Sequence, residues 1–143
     1  MVAKFKPIIP DLDDLGLSPK RHKKAIETAV GVTAVYALKS FEGTVSKWKR
    51  RVRFRIRQDG YEADITTDDE VFKYQDKGTK GPYLIRPRRK KALYWRGARH
   101  PVRVVRHPGL KAQRFTEKVL EATDRYFPDE MERQIAREAA KKR

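Results

Sequence analysis

Between Ser18 and Gly43, the residues Ile26, Ala29, Val30, Thr33, Ala37 and Phe41 recur at steps of three and four. Residues so spaced share one side of an α-helix, so the pattern predicts a long helix with a single apolar stripe. Ser18 is placed to cap it, and Pro19 suits the first helical position, where its missing N–H is not needed. Gly31 weakens the middle by roughly 1 kcal/mol relative to alanine, and the helix is expected to end near Gly43. The period then changes. Val52, Phe54 and Ile56 alternate with Arg51, Arg53, Arg55 and Arg57, which reads as a strand with one face buried. Asp59-Gly60 predicts a two-residue hairpin loop. That loop sets Arg57 opposite Glu62, Ile56 opposite Ala63, Arg55 opposite Asp64 and Phe54 opposite Ile65. Apolar then meets apolar and arginine meets acid, each pair contributing roughly 0.2–1 kcal/mol.

Further along, Val71, Phe72 and Tyr74 predict a short strand or one helical turn. Two apolar runs, 83–85 and 92–95, flank a basic bend at Pro87. Residues 102–106, "VRVVR", read as a final strand ended by His107-Pro108-Gly109. Phe115, Val119, Leu120, Thr123 and Phe127 fall on one helical face. Pro128 is expected to break or kink that helix and start another. The last segment has acids early and bases late, which suits the helix dipole. Its stripe is thin, only Met131, Ile135 and Ala139, as in a helix that projects or packs on another subunit. Pro7, Pro10 and Gly16 predict an irregular arm over residues 1–17. The fold class expected is α/β (α+β): a small, mostly antiparallel sheet packed against a long N-terminal helix and C-terminal helices. Residues 18–127 form its single domain, and 128–143 a C-terminal helix or extension.

With 143 residues the chain can bury a core without metal or disulfide staples. The absence of cysteine excludes a thiol nucleophile, a disulfide and a thiolate zinc site. No apolar run reaches the ~20 residues of a membrane span, and the N-terminus lacks the apolar core of a signal peptide. Residence in a cytosol is the expectation. Charge changes the picture more. The net charge is +16, and Lys77–Thr116 holds 13 Lys and Arg with no acid. A surface kept for solubility mixes signs, so this block implies an anionic partner or an acidic neighbouring surface.

Catalytic signatures are lacking: no nucleophile elbow, P-loop, dinucleotide fingerprint or H-E-x-x-H. The sequence therefore predicts no enzyme, no metal and no cofactor. His22, His100 and His107 lack metal-site spacing, and His107 reads as a turn histidine bonded to local backbone. Asp64, Asp68, Asp69 and Glu70 near Lys73 form a weak nuclease-like pattern, for which a solvated turn is the favoured account. Nucleic-acid binding is the more serious reading. Arg86, Arg88, Arg89, Lys90, Lys91 and Arg96 would neutralise phosphates, with Trp48, Tyr83, Tyr94 and Trp95 available to stack on bases.

The segments "TVSKWKRRVRFRI", "VFKYQDKGTKGPYLIRPRRKKALYW" and "VRHPGLKAQRF", followed by a C-terminal helix, resemble the phage tail-component proteins of the head–tail joining region. Many of these carry Trp-Lys before a hairpin, a Gly-Thr loop, I-x-P with basic residues, A-L-x-W/F, H-P-G and a Phe at the last helices. The matching positions are Trp48 and Lys49; Gly78 and Thr79; Ile85, Pro87, Ala92, Leu93 and Trp95; His107, Pro108, Gly109 and Phe115. The match runs from about residue 44 to 127. Residues 1–17 have no counterpart, and residues 86–106 are more basic than the pattern requires.

The resemblance implies a non-enzymatic virion subunit at the head-proximal end of the tail, of tail-completion, tail-terminator or neck type. Such proteins form ring homo-oligomers, a hexamer among the options. Their partners would be neck and tail-tube proteins, with genomic DNA in the lumen and no membrane. The protein would lie in the virion, and in host cytoplasm during assembly. The basic block would face acidic protein neighbours or that DNA; protein neighbours are favoured, because tight phosphate binding would retard DNA passage. His107-Pro108-Gly109 then reads as a structural joint that ends a strand and sends Phe115 into the core.

Overall fold

The computed structural model describes residues 2–9 and 16–141. In chain order the elements are β1 (Val2–Phe5), α1 (Pro19–Val45), β2 (Arg55–Asp59), β3 (Glu62–Thr66), α2 (Glu70–Lys77), β4 (Tyr83–Ile85), β5 (Val105–His107) and α3 (Phe115–Ala140). They fall into two compact units. The larger comprises residues up to Asp69 together with those from Phe115 onward; the smaller is Glu70–Arg114. The expected α+β class is the observed one. In sequence, the smaller unit lies between the two parts of the larger one.

In the larger unit, an antiparallel sheet of order β1-β3-β2 packs against α1 and α3. The stripe expected on α1 is buried throughout, joined by Ala25, Ala34 and Val45. Ser18 sits at the N-cap and its carbonyl accepts from the N–H groups of Arg21 and His22, but its hydroxyl makes no capping bond. Phe5, Ile26, Ala29, Val30, Ala34, Ala63, Phe127 and Met131 form one apolar cluster, with Ile9, Ile56 and Ile135 packed against it. Phe5 and Phe127 meet edge-to-face with centroids 5.6 Å apart. Tyr36 of α1 stacks flat on Tyr126 of α3 at 4.2 Å.

Three expectations are corrected here. The arm over 1–17 is not irregular at its start, because β1 pairs with β3, placing Ala3 opposite Ile65 and Phe5 opposite Ala63. Buried Ala3 and Phe5 flank exposed Lys4, a strand alternation completed before Pro7 removes a donor. Pro10 lies outside the described residues.

The hairpin turn lies one residue further along than expected, which moves each cross-strand partner by two. Asp59 opposes Glu62, Gln58 opposes Ala63, Arg57 opposes Asp64 and Ile56 opposes Ile65, so Gly60-Tyr61 is the loop. Gly60 has φ +55 and is the loop residue with positive φ. A primed turn with glycine in its first central position needs one such angle, whereas Asp59-Gly60 at the centre would need two.

Pro128 does not divide α3, which runs unbroken from Phe115 to Ala140. Phe127 and Met131, on either side of it, are both buried, and this packing overrides the lost helical bond. Beyond Pro128, Met131 and Ile135 of the expected stripe pack on the core, but Ala139 does not. Glu130, Met131, Gln134 and Glu138 are buried, Ile135 is half-buried and Ala139 is exposed. Gln134 donates to Glu130 at 2.6 Å and Arg133 pairs with it at 3.1 Å. At the C-terminal end, where helical carbonyls lack partners, Arg21 donates to the carbonyls of Glu138 and Lys141.

The smaller unit contains α2 and the two-stranded antiparallel sheet β4-β5, in which Tyr83 opposes His107 and Ile85 opposes Val105. Residues 71–74, expected as a short strand or one helical turn, lie in α2, so the helical alternative holds. The run 92–95 forms no strand; only a bridge joins Leu93 to Val102. The strand expected at 102–106 lies at Val105–His107. Its partner β4 is only three residues long and stops before Pro87, so 102–104 find no continuous neighbour. Among the described residues no helix is long and apolar enough to cross a membrane.

Candidate interaction site

Five of the motif positions singled out in the sequence, with their near neighbours, meet around one turn of the smaller unit. The chain leaves α2 at Gly78, whose N–H donates to the Tyr74 carbonyl at 2.8 Å. Thr79 then bridges to Leu110: its N–H donates to the Leu110 carbonyl at 2.9 Å, and its hydroxyl accepts the Leu110 N–H at 2.8 Å. Gly81, which precedes a cis Pro82, lies so close to Pro108 that a β-carbon there would collide with its carbonyl. Gly109 has φ +90, and a β-carbon on it would fall 2.7 Å from the Thr79 carbonyl oxygen. Only glycine meets both demands without strain.

His107 completes this joint. Its Nδ1 accepts the Gly109 N–H at 3.0 Å, and its ring stacks on Tyr83 at 4.9 Å. The local backbone bond expected of this histidine is present. Two further bonds close the unit at its root: Gln113 and Arg114 donate their N–H groups to the carbonyls of Gln75 and Asp76, at 2.9 and 3.0 Å. Arg114 takes φ 56 to do so.

The other motif positions serve elsewhere. Trp48 and Phe115 belong to the larger unit, half-buried, with ring centroids 6.3 Å apart. Phe115 opens α3 as expected, though it enters only partly into the core. Ile85 lies in β4 and Leu93 in its bridge to Val102. Pro87 is half-buried; Trp95 is exposed and its carbonyl accepts the Ala98 N–H across a tight turn at 3.0 Å. Gly81, which belongs to the joint, is not among the motif positions. The only available signal is the Gly-Pro dipeptide directly after the Gly-Thr loop.

The smaller unit's charge is one-sided, with 14 Lys and Arg against Glu70 and Asp76, and Asp76 is buried. Arg86, Arg88, Arg89, Lys90, Lys91 and Arg96 are all exposed. Among the described residues none of the six has an ion-pair or hydrogen-bond partner. Exposed Val71, Tyr74, Tyr83, Leu84, Ile85, Tyr94, Trp95 and Val104 lie in the same unit.

The carboxylates of the nuclease-like pattern do not converge. Asp69 pairs with Arg50 at 2.7 Å and Asp68 with Arg55 at 3.1 Å, while Asp64 faces Lys4 and Arg57 across the sheet. Among the described residues no three His, Asp or Glu side chains group as metal ligands would. Two glutamates are perturbed. A hydrogen bond from Lys6, helped by its charge, holds the Glu62 carboxyl below the usual glutamate range. Lys141 does the same for Glu138, with smaller help from Lys24 and Arg21.

No protein-family model, curated protein or solved structure matches the chain.

Proposed function

We propose that the protein is a structural virion subunit of the phage head–tail junction, a tail-completion, tail-terminator or neck component that works through ring assembly. The observation that carries this reading is the smaller unit's surface. It buries only Phe72 and Asp76 yet exposes eight large apolar side chains beside a one-sided field of cations. Exposed apolar groups gathered in this way mark a surface that functions by being covered. The convergence of Gly78, Thr79, His107, Pro108 and Gly109 adds support, because these are the positions on which the resemblance rests.

A ring requires each copy to offer two different, complementary patches whose rotation closes. The exposed apolar strand β4 and the loops that flank it are the patch on one side. Neck and tail-tube proteins would be the neighbours along the tail axis, and the work is binding rather than catalysis.

The test is the mass of the purified chain by light scattering, with negative-stain microscopy. A discrete closed oligomer is expected, retained in His107→Ala and lost in Gly109→Val. A monomer at every concentration, in the presence of its virion neighbours as well, would overturn the reading.

A further inference from the structure

From its exposed side chains we infer that the segment from Arg86 to Arg96 is a binding site for single-stranded nucleic acid. This inference does not rest on the ring or on the virion role. Five cations stand within six positions, Arg86 and Arg88–Lys91, and Arg96 closes the set. None is neutralised by a carboxylate among the described residues, and none has been drawn into the fold. An array of free cations on one short loop, which bends through residues 88–92, is complementary to a phosphate backbone, which carries a charge at every nucleotide.

Charge alone would suit an acidic protein equally. The aromatic side chains separate the two. Tyr94 is 68% exposed and Trp95 50% exposed, inside the basic segment rather than beside it. Neither ring fills a core, so their faces are available. A flat face gains little from carboxylate side chains, which offer charge without a stacking surface. It gains about 1–3 kcal/mol per base by stacking on a nucleobase. In a duplex the base faces are covered by their neighbours, so stacking selects an unpaired strand. Phosphate charge and base faces are common to DNA and RNA, so both strands should bind alike.

The experiment uses the full chain and a labelled oligo-dT, followed by fluorescence anisotropy across a salt series. Oligo-U, a duplex of equal length and polyglutamate serve as competitors. Oligo-dT should bind with an affinity that falls with log salt at a slope of about −0.7 per neutralised phosphate, hence roughly −4 for six contacts. Oligo-U should compete within a few-fold; duplex should compete more weakly and polyglutamate least. The double variant Tyr94→Ala with Trp95→Ala should bind about ten-fold or more weakly without changing the slope. Tyr94→Phe with Trp95→Phe should restore binding. Arg88→Ala with Arg89→Ala should flatten the slope by roughly one to two. All these positions are exposed, so the denaturation midpoint should not move; a shift in the alanine pair is separated from lost stacking by the phenylalanine pair.

Failure to bind oligo-dT at low salt would overturn the inference. So would indifference to the aromatic changes, or polyglutamate competing as well as the oligonucleotide, which would assign the site to an acidic protein. A ring that forms normally while oligo-dT is not bound would sink this inference and leave the proposed function standing. The reverse result would do the opposite.

Discussion

The larger unit places Phe5, Val30, Phe41 and Ile65 where water does not reach, and anchors both long helices on them. The smaller unit has Phe72 and little else inside. Its order comes from main-chain bonds, close glycine contacts and one histidine. Apolar burial supplies most of a domain's stability, so the two units are held by different forces. The first is stable because of what it hides. The second is shaped by its backbone, which frees nearly every side chain between Lys80 and Arg106 for contact with something else. That difference explains how one chain can be a robust scaffold and a strongly charged, aromatic-bearing surface at once.

The largest test of this contrast is Phe127→Ala. It removes a ring from the cluster joining α1, α3 and β1, and should cost about 3–5 kcal/mol, read as a lower midpoint in urea. Gly109→Val comes next. A branched side chain at φ +90, pressed against the Thr79 carbonyl, should introduce about 1–3 kcal/mol of strain. Its effect should appear as lost hydrogen-exchange protection within residues 70–114, with the amides of α1 unchanged. If Gly109→Val lowered the α1 amides as far as Phe127→Ala does, the two units would not be held independently. His107→Ala removes one acceptor and one stacked ring from the joint, an effect of about 0.5–1.5 kcal/mol confined to the same exchange pattern.

The smallest effect is acid dependence in the larger unit. The folded-state values of Glu62 and Glu138 lie below the ordinary one, so these groups add stability above about pH 4.3. That contribution is lost as pH falls through the lowered values. Both pairs involve exposed lysines, and such pairs contribute little. Glu62→Gln with Glu138→Gln should flatten the pH dependence of the urea midpoint in acid and change little near neutrality.

Much of the larger unit was legible because its apolar residues obey one period at a time. Every member of the α1 stripe is buried. β1 escaped because four residues before a proline carry too few alternations to outweigh Pro7 and Gly16. The hairpin is legible, but its turn lies one position further along and its partners two. Both registers pair Arg57 with an acid and Ile56 with an apolar residue, so only the turn could decide between them, and it turned on how many positive φ angles the loop requires. Pro128 misled because its local preference against a helix interior was outweighed by Phe127 and Met131 on either side.

The smaller unit was legible as motifs and not as architecture. His107-Pro108-Gly109 announced a joint, but its counterpart at Gly78–Gly81 lies about thirty positions away, and main-chain contact leaves no periodic trace. Sequence likewise could not tell a core tryptophan from a surface one. Trp48 and Trp95 sit in similarly basic, aromatic surroundings, and only the fold shows the first against Phe115 and the second facing water.

The two bonds from Gln113 and Arg114 to the carbonyls of Gln75 and Asp76 have a further consequence. They are made by peptide groups, which every residue but proline can supply. The insert is thus fastened at its entrance and exit by atoms indifferent to what lies between them. Lineages could rewrite the charge, length and aromatic content of the loops without renegotiating the scaffold, so long as the glycines of the joint survive. A region built this way is expected to tolerate most change in its exposed loops and least at its glycine joint, which makes it a natural place for a fixed scaffold to change what it recognises.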